Sequence, residues 1–294
     1  MKKLAVWLSS ALALLGGGTL AAAGTDAAVK VGVVLPLTGT HAKFGEIEKN
    51  SFLMALEEIN AGGGVRGRPI ELIIEDDKSK PEVGRSAADK LISKDKVVAL
   101  TGGYSSSVTF AMASMAQSRK VPFLVTSGSA DEITEQGWEY VFRLNQPVSE
   151  YSKALVEFLH EVVNPHSVAI LYENSMFGQS GSREFTDVAL DMGWKIVVSQ
   201  AYEAGAEDFK ALLTRTKAAN PDVVYMISYV KDAAILMRQA KELDFNPKLF
   251  AGAAAGFTLP EFAKLAGSAA ENVFSATLWT PSVPYPGAKE YYDR

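Results

Sequence analysis

The feature that most constrains this chain is an alternation, running from Val29 to Ala251, of short β-branched stretches with longer stretches of helical period. Val29–Leu35 reads VKVGVVL and stops at Pro36, Ile70–Glu75 reads IELIIE, and Val97–Thr101 reads VVALT. Between them Phe52, Ala55, Leu56 and Ile59, then Ala87, Ala88, Leu91 and Ile92, recur at the spacing of one helix face. A helix over 109–119 and a strand over Val121–Val125 follow. Uninterrupted apolar strands separated by amphipathic helices predict βαβ units, hence parallel sheets with helices on both faces.

The pattern halts at Arg143–Pro147 (RLNQP) and restarts. A helical stripe through Tyr151, Leu155 and Leu159 precedes strands at Val168–Tyr172, Lys195–Val198, Val223–Ile227 and Leu249–Ala251, each followed or preceded by a helical stretch. The expected fold class is therefore α/β, with two doubly wound parallel-sheet lobes joined by a hinge. Lobe one takes residues 24–144 and lobe two residues 145–276, with 277–294 returning to lobe one. Pro281, Pro284 and Pro286 punctuate a loop, and Gly287–Arg294 reads as a helix just begun. A helix that short has little to bury, so a C-terminal part is expected to be missing.

The amino end is of a different kind. Lys2-Lys3, an apolar run from Leu4 to Leu15 and the small residues Ala21-Ala22-Ala23 make residues 1–23 a secretory signal peptide. The chain has no cysteine. Export without disulfides leaves the fold to core burial, and there is no thiol for a lipid anchor. A soluble periplasmic monomer, not a lipoprotein, is the expectation. A net charge of −5 without a basic cluster argues against nucleic acid as a partner.

Most of the candidate chemistry lies in the loops at strand ends. Gly102-Gly103-Tyr104-Ser105-Ser106-Ser107 joins a strand to a helix, where glycines allow a sharp turn and free N–H groups meet serine hydroxyls. Ser105 or Ser106 there reads on local sequence first as a helix cap, and otherwise as half of an anion site. Thr126–Ala130 (TSGSA) ends the next strand, and Glu173–Gly178 and Ser228-Tyr229 hold the same position in lobe two. Hydroxyls and aromatic rings suit a small polar ligand held between lobes. Activated nucleophiles, metal sets and phosphate or dinucleotide loops are not evident: there is no G-x-S-x-G, H-E-x-x-H, Walker A or G-x-G-x-x-G sequence, and His41, His160 and His166 are scattered. Neither an enzyme nor a metal or cofactor is expected.

Taken together, Ile59–Arg68 (INAGGGVRGR), Glu75-Asp76-Asp77, Tyr104–Thr109, Ser127–Thr134 (SGSADEIT) and Arg238-Gln239-Ala240 resemble the periplasmic branched-chain amino acid binding proteins of ABC transporters, the leucine/isoleucine/valine type. The resemblance implies a type I periplasmic binding protein fold: two lobes joined by three crossings, closing on ligand like a clamshell. The first crossing would lie near Arg143–Pro147, the second near Ala276–Thr280 and the third beyond Arg294. It implies solute capture and delivery to a membrane permease. By position, Ser105 matches the carboxylate-binding serine, with Ser106 beside it, and Ser127, Gly128 and Ser129 match the loop that completes that site. Tyr229 matches a lobe-two tyrosine that reaches the ligand on closure. Phe177 stands for a further aromatic, and Tyr104 and Phe44 would wall the side-chain pocket.

One departure bears on the ligand. The family holds the ligand's ammonium with an acid after the strand at Leu249–Ala251, where this chain reads Gly252-Ala253-Ala254-Ala255-Gly256. A buried ammonium without a counter-charge is costly. Either Asp232 or Glu173 replaces that acid, or the ligand is a carboxylate or amide without an α-ammonium. A ligand-sensing module of the same fold is the other reading.

Overall fold

The computed structural model describes residues 27–294, so the segment read as an export signal lies outside it. Strand β1 (Val29–Leu35) is followed by α1 (Ala42–Ala61), β2 (Ile70–Asp76), α2 (Pro81–Ser93), β3 (Ala99–Gly102), α3 (Ser106–Arg119), β4 (Phe123–Val125) and β5 (Val141–Arg143). These strands form one sheet in the order β2-β1-β3-β4-β5, every pairing parallel. The chain then crosses to α4 (Val148–Val162), β6 (Ser167–Glu173), α5 (Met176–Asp191), β7 (Lys195–Tyr202), α6 (Lys210–Ala218) and β8 (Val223–Ile227). It continues through α7 (Val230–Glu242), β9 (Leu249–Gly252), α8 (Ala254–Phe257), α9 (Pro260–Ala266) and β10 (Val273–Ser275). The second sheet, β10-β9-β8-β6-β7, is parallel too. Helix α10 (Ala288–Asp293) returns to α1, where Tyr291 meets Ser51 and Arg294 pairs with Glu58.

Both sheets have the same winding. The first strand made, β1 or β6, sits second from one edge, and the order reverses between it and the third strand, β3 or β8. Beyond the carboxyl ends of those two strands a crevice opens. Strand β8 shows why the layers form. All five residues of VVYMI are buried: Val224 and Met226 point into one apolar cluster with Leu213 and Leu236, and Val223, Tyr225 and Ile227 into another with Leu159 and Phe185. Alternate residues of a strand face opposite sides, so a strand apolar throughout must be covered on both. In lobe one Val34, Leu91, Leu100, Met112 and Phe123 share a third cluster.

Several expectations need correction. The strands read as Val97–Thr101 and Val121–Val125 begin two residues later, at Ala99 and Phe123. Strands β5 and β10 and helix α9 were not expected; the two strands are three residues each, too short to show a period, and pairing with a neighbour holds them. The stripe on α1 is less buried than its spacing suggests. Phe52 and Leu56 are half-buried, Ala55 and Ile59 exposed, because the six-residue α10 covers only part of that face.

Gly102 closes β3 at φ +105°, and a Cβ there would stand 2.4 Å from the Val34 carbonyl oxygen of β1. Backbone strain and overpacking together make Gly102→Ala destabilising by about 2–4 kcal/mol. Urea unfolding is expected to show a lowered midpoint at unchanged slope; an unchanged midpoint would contradict the packing described.

Candidate functional site

The loops after β1, β3, β6 and β8 meet between the lobes. His41 ends the first, with Phe44 in the opening turn of α1; Tyr104 and Ser105 come from the second, Ser175 from the third after Glu173 at the end of β6, and Tyr229 from the fourth. Their rings interlock across the two lobes. Phe44 stacks on Tyr104 at 4.2 Å, His41 lies 5.4 Å from Tyr104 and 4.2 Å from Tyr229, and Tyr104 is 5.7 Å from Tyr229. Behind Tyr229, Phe177 packs at 5.3 Å. Tyr229 of lobe two thus comes against the lobe-one rings of His41 and Tyr104, and it shares a cavity lining with Ser105. Burial raises the phenols of Tyr104 and Tyr229 well above their ordinary range, so both keep their protons.

Local chemistry sets these positions. Asp76, at the end of β2, accepts from the Thr38 N–H at 3.1 Å and its hydroxyl at 2.6 Å, and so ties down the loop that carries His41. The Ser79 hydroxyl accepts from the His41 N–H at 3.2 Å. Ser105 is the N-cap of α3 by backbone position, but its hydroxyl makes no cap bond; Thr109 instead donates its hydroxyl to the Ser105 carbonyl at 2.8 Å. The capping reading of Ser105 is thereby set aside. Ser105 lines the cleft instead. The lobes are also tied beside the cleft: Glu132 pairs with Arg183 at 2.9 Å, the Ser107 hydroxyl accepts from the Met176 N–H, and Asp131 accepts from Ser149.

Two cavities flank the ring cluster. One, of about 310 Å³, is lined by His41, Ser105, Glu173, Ser175, Tyr229 and Asp232, among others. The second, of about 260 Å³, lies among Phe44, Glu48, Tyr104, Ser127, Asn145 and Trp279. The candidate residues therefore divide. Ser105 and Tyr229 belong to the first cavity; Phe44, Tyr104, Ser127 and Ser129 to the second. Three candidates line neither. The Ser106 hydroxyl is fully buried and accepts from the N–H groups of Ser129 and Ala130, at 3.2 and 3.1 Å, so it holds the second loop against the first. Gly128 is a packing position: a Cβ would stand 2.6 Å from the Thr109 hydroxyl. Phe177 is a core residue beneath Tyr229.

The two serines of the second loop also have partners already. Ser127 donates to Glu48, and Ser129 shares a 3.2 Å hydrogen bond with Tyr151 of lobe two. Glu48 was missed in the sequence; Thr126 was read only as part of a polar loop, Asn145 and Trp279 only as parts of the crossings, and His41 only as a histidine of the first strand-to-helix loop. Glu48 sits on the outwardly amphipathic α1, where a glutamate reads as solvated surface; only the fold brings it against Ser127.

Charge in the cleft is subdued by burial. Desolvation lifts the Glu173 carboxyl from its ordinary 4.5 to about 7, opposed by the Ser175 hydroxyl and raised further by Asp232. Desolvation also lifts Glu48 to about 7, against the Ser127 hydroxyl. The same effect lowers His41 to about 4, so its ring is neutral at pH 7. The Asp232 carboxyl, raised chiefly by burial, accepts from the Gly205 N–H at 2.9 Å. Among the described residues no group of His, Cys, Asp and Glu is arranged to hold a metal ion.

Two parallel α/β lobes with a walled cleft between facing sheet edges define a ligand-binding clamshell. The profile of the periplasmic binding protein family matches residues 28–294, and the chain belongs to that family. It is 31% identical over 275 residues to Leu/Ile/Val-binding protein homolog 7 of Brucella suis, covering 91% of this chain and 67% of that protein. It is 28% identical over 247 residues to the leucine-, isoleucine-, valine-, threonine-, and alanine-binding protein of Pseudomonas aeruginosa, covering 84% and 65%. The chain thus spans about two thirds of the length of these relatives. Among solved structures, the leucine binding protein LivK of Thermotoga maritima superposes with a TM-score of 0.84 at 26% identity, covering 90% of this chain and 74% of that one. The substrate binding protein LivJ of Streptococcus pneumoniae, in complex with isoleucine, gives 0.80 at 25% identity, covering 91% and 78%.

Glu173 makes a pH signature. Its folded pKa lies above its unfolded one, so stability is highest below about pH 4.5 and falls as pH rises toward 7. At about 1.4 kcal/mol per unit the ceiling is about 3 kcal/mol, present in full only above pH 7. Glu173→Gln is expected to raise the melting temperature at pH 8 and to leave it nearly unchanged at pH 4.5. An equal difference at both values would contradict the buried carboxylate.

Proposed function

We propose that this chain is the solute-binding component of an ABC importer: it captures one small amino acid, or a related carboxylate or amide, between its lobes in the periplasm and delivers it to a membrane permease. The observation that carries the reading is the ring cluster of His41, Tyr104 and Tyr229, contributed by both lobes, beside a cavity that Tyr229 and Ser105 line together. Ser105 stands at the N-terminus of the 14-residue α3, where backbone N–H groups favour an anion. A ligand carboxylate arriving there accepts from the backbone N–H groups that open α3, and the protonated Tyr229 hydroxyl donates to it from lobe two. Charge-assisted hydrogen bonds of this kind contribute about 1.5–3 kcal/mol each.

Glu173 is the acid in place for an α-ammonium. It is buried, lines the same cavity as Ser105, and one carboxylate oxygen, Oε2, lacks a partner. That supports an amino acid despite the missing acid after β9. The names of the relatives make leucine, isoleucine and valine the first solutes to try, and the family supports a periplasmic binder over an enzyme.

A thermal-shift screen of amino acids and organic acids on ligand-stripped protein tests this. At a hundredfold excess over Kd a ligand stabilises the folded state by about 2.7 kcal/mol, or about 5–10 °C for a chain of this size. At least one solute is expected to reach that shift, and Ser105→Ala to abolish it. An undiminished shift in Ser105→Ala would remove the carboxylate site from Ser105.

A further inference from the structure

The second cavity carries a concentration of unmet hydrogen-bonding capacity. Among the described residues, eleven solvent-sealed side-chain polar atoms have no hydrogen-bond partner, and four of them belong to side chains that line this one cavity: Glu48 Oε2, Asn145 Oδ1, Thr126 Oγ1 and the Tyr104 hydroxyl. Buried polar groups are nearly always paired, so four orphans in the walls of one cavity point to an occupant toward which these side chains turn when the space is filled. Their chemistry says which. Glu48 Oε2 in its ionised form only accepts. The Asn145 amide nitrogen donates to the carbonyls of Ser127 and Gln146, at 3.0 and 3.1 Å, which fixes the amide so that its oxygen is the free end. Hydroxyls at Thr126 and Tyr104 accept or donate as required.

Among the described residues no lysine, arginine or histidine lines this cavity, while Phe44, Tyr104, Tyr151 and Trp279 wall it with rings. A carboxylate there would face Glu48 without a counter-charge. A group rich in N–H donors meets both the acceptors and the ring faces, which attract cations. We propose that this cavity holds an N–H-donating group, an ammonium or a carboxamide, at the end of the solute opposite its carboxylate. The inference rests on the solute-binding reading and narrows it: the preferred solute has a polar, nitrogen-tipped tail, not an aliphatic one.

Matched solutes separate the cases. Titration calorimetry of the ligand-stripped full chain with leucine, norleucine, lysine, glutamine and glutamate isolates the tail group, because norleucine lacks only the terminal ammonium of lysine and glutamate replaces the amide of glutamine by a carboxylate. Lysine or glutamine is expected to bind at least about tenfold more tightly than leucine, norleucine or glutamate. Glu48→Gln should weaken lysine by more than tenfold and glutamine by less, which tells ammonium from amide. Thr126→Val and Tyr104→Phe remove orphaned atoms, so the free protein should melt no lower than wild type while lysine or glutamine binds about 3–10-fold more weakly. Leucine or norleucine binding as tightly as either, with Ser105→Ala abolishing it, would overturn this inference and leave the solute-binding reading intact. No binding by any of the five, or by other amino acids and organic acids, would overturn both.

Discussion

A parallel sheet sends every strand out through the same edge, so all of its strand-to-helix loops gather on one side. This chain makes that arrangement twice, with the same strand order, and sets the two loop-bearing edges against each other. The consequence is chemical as well as geometric. His41 and Tyr104 of one lobe and Tyr229 of the other share a buried ring cluster, which only the facing of the two edges allows. Everything assigned to the cleft depends on that juxtaposition.

Burial then decides what the groups can do. His41 is neutral, the tyrosines keep their protons, and the acids at positions 48 and 173 sit near neutrality, so the cleft offers hydrogen bonds with little fixed charge. Such a lining recognises a solute by geometry and by matched donors and acceptors, since any unmatched polar group inside it carries a desolvation penalty of about 1–3 kcal/mol. The belt of interlobe contacts at Glu132–Arg183, Ser107–Met176 and Asp131–Ser149 holds the lobes together beside the cleft. These contacts are few and partly exposed, which leaves the closed arrangement sensitive to what fills the cleft.

The fold was largely legible because its signals are local. VVYMI must be covered on both faces wherever it sits, and Pro36 ends β1 whatever lies beyond it. β5 and β10 escaped because three residues carry no period, and their existence depends on a neighbour to pair with. Of the residues singled out in the sequence, Ser105, Tyr229, Tyr104 and Phe44 come together in the cleft region. Yet Ser105 and Ser127 fall to different cavities, and Ser106 is absorbed in joining two loops. Nothing in a run of three serines says which hydroxyl points outward. Glu48 could not be found from sequence at all, because a glutamate on an amphipathic helix becomes a buried acceptor only when Ser127, nearly eighty residues on, comes to lie against it.

The most direct test is a crystal structure of the full chain grown with its tightest-binding solute. Density for the solute is expected between the lobes, within hydrogen-bonding distance of Ser105 on one side and in contact with the Tyr229 ring on the other. Solute bound outside the cleft, or a cleft still empty between Tyr229 and Ser105 at saturating solute, would contradict the cleft as the binding site.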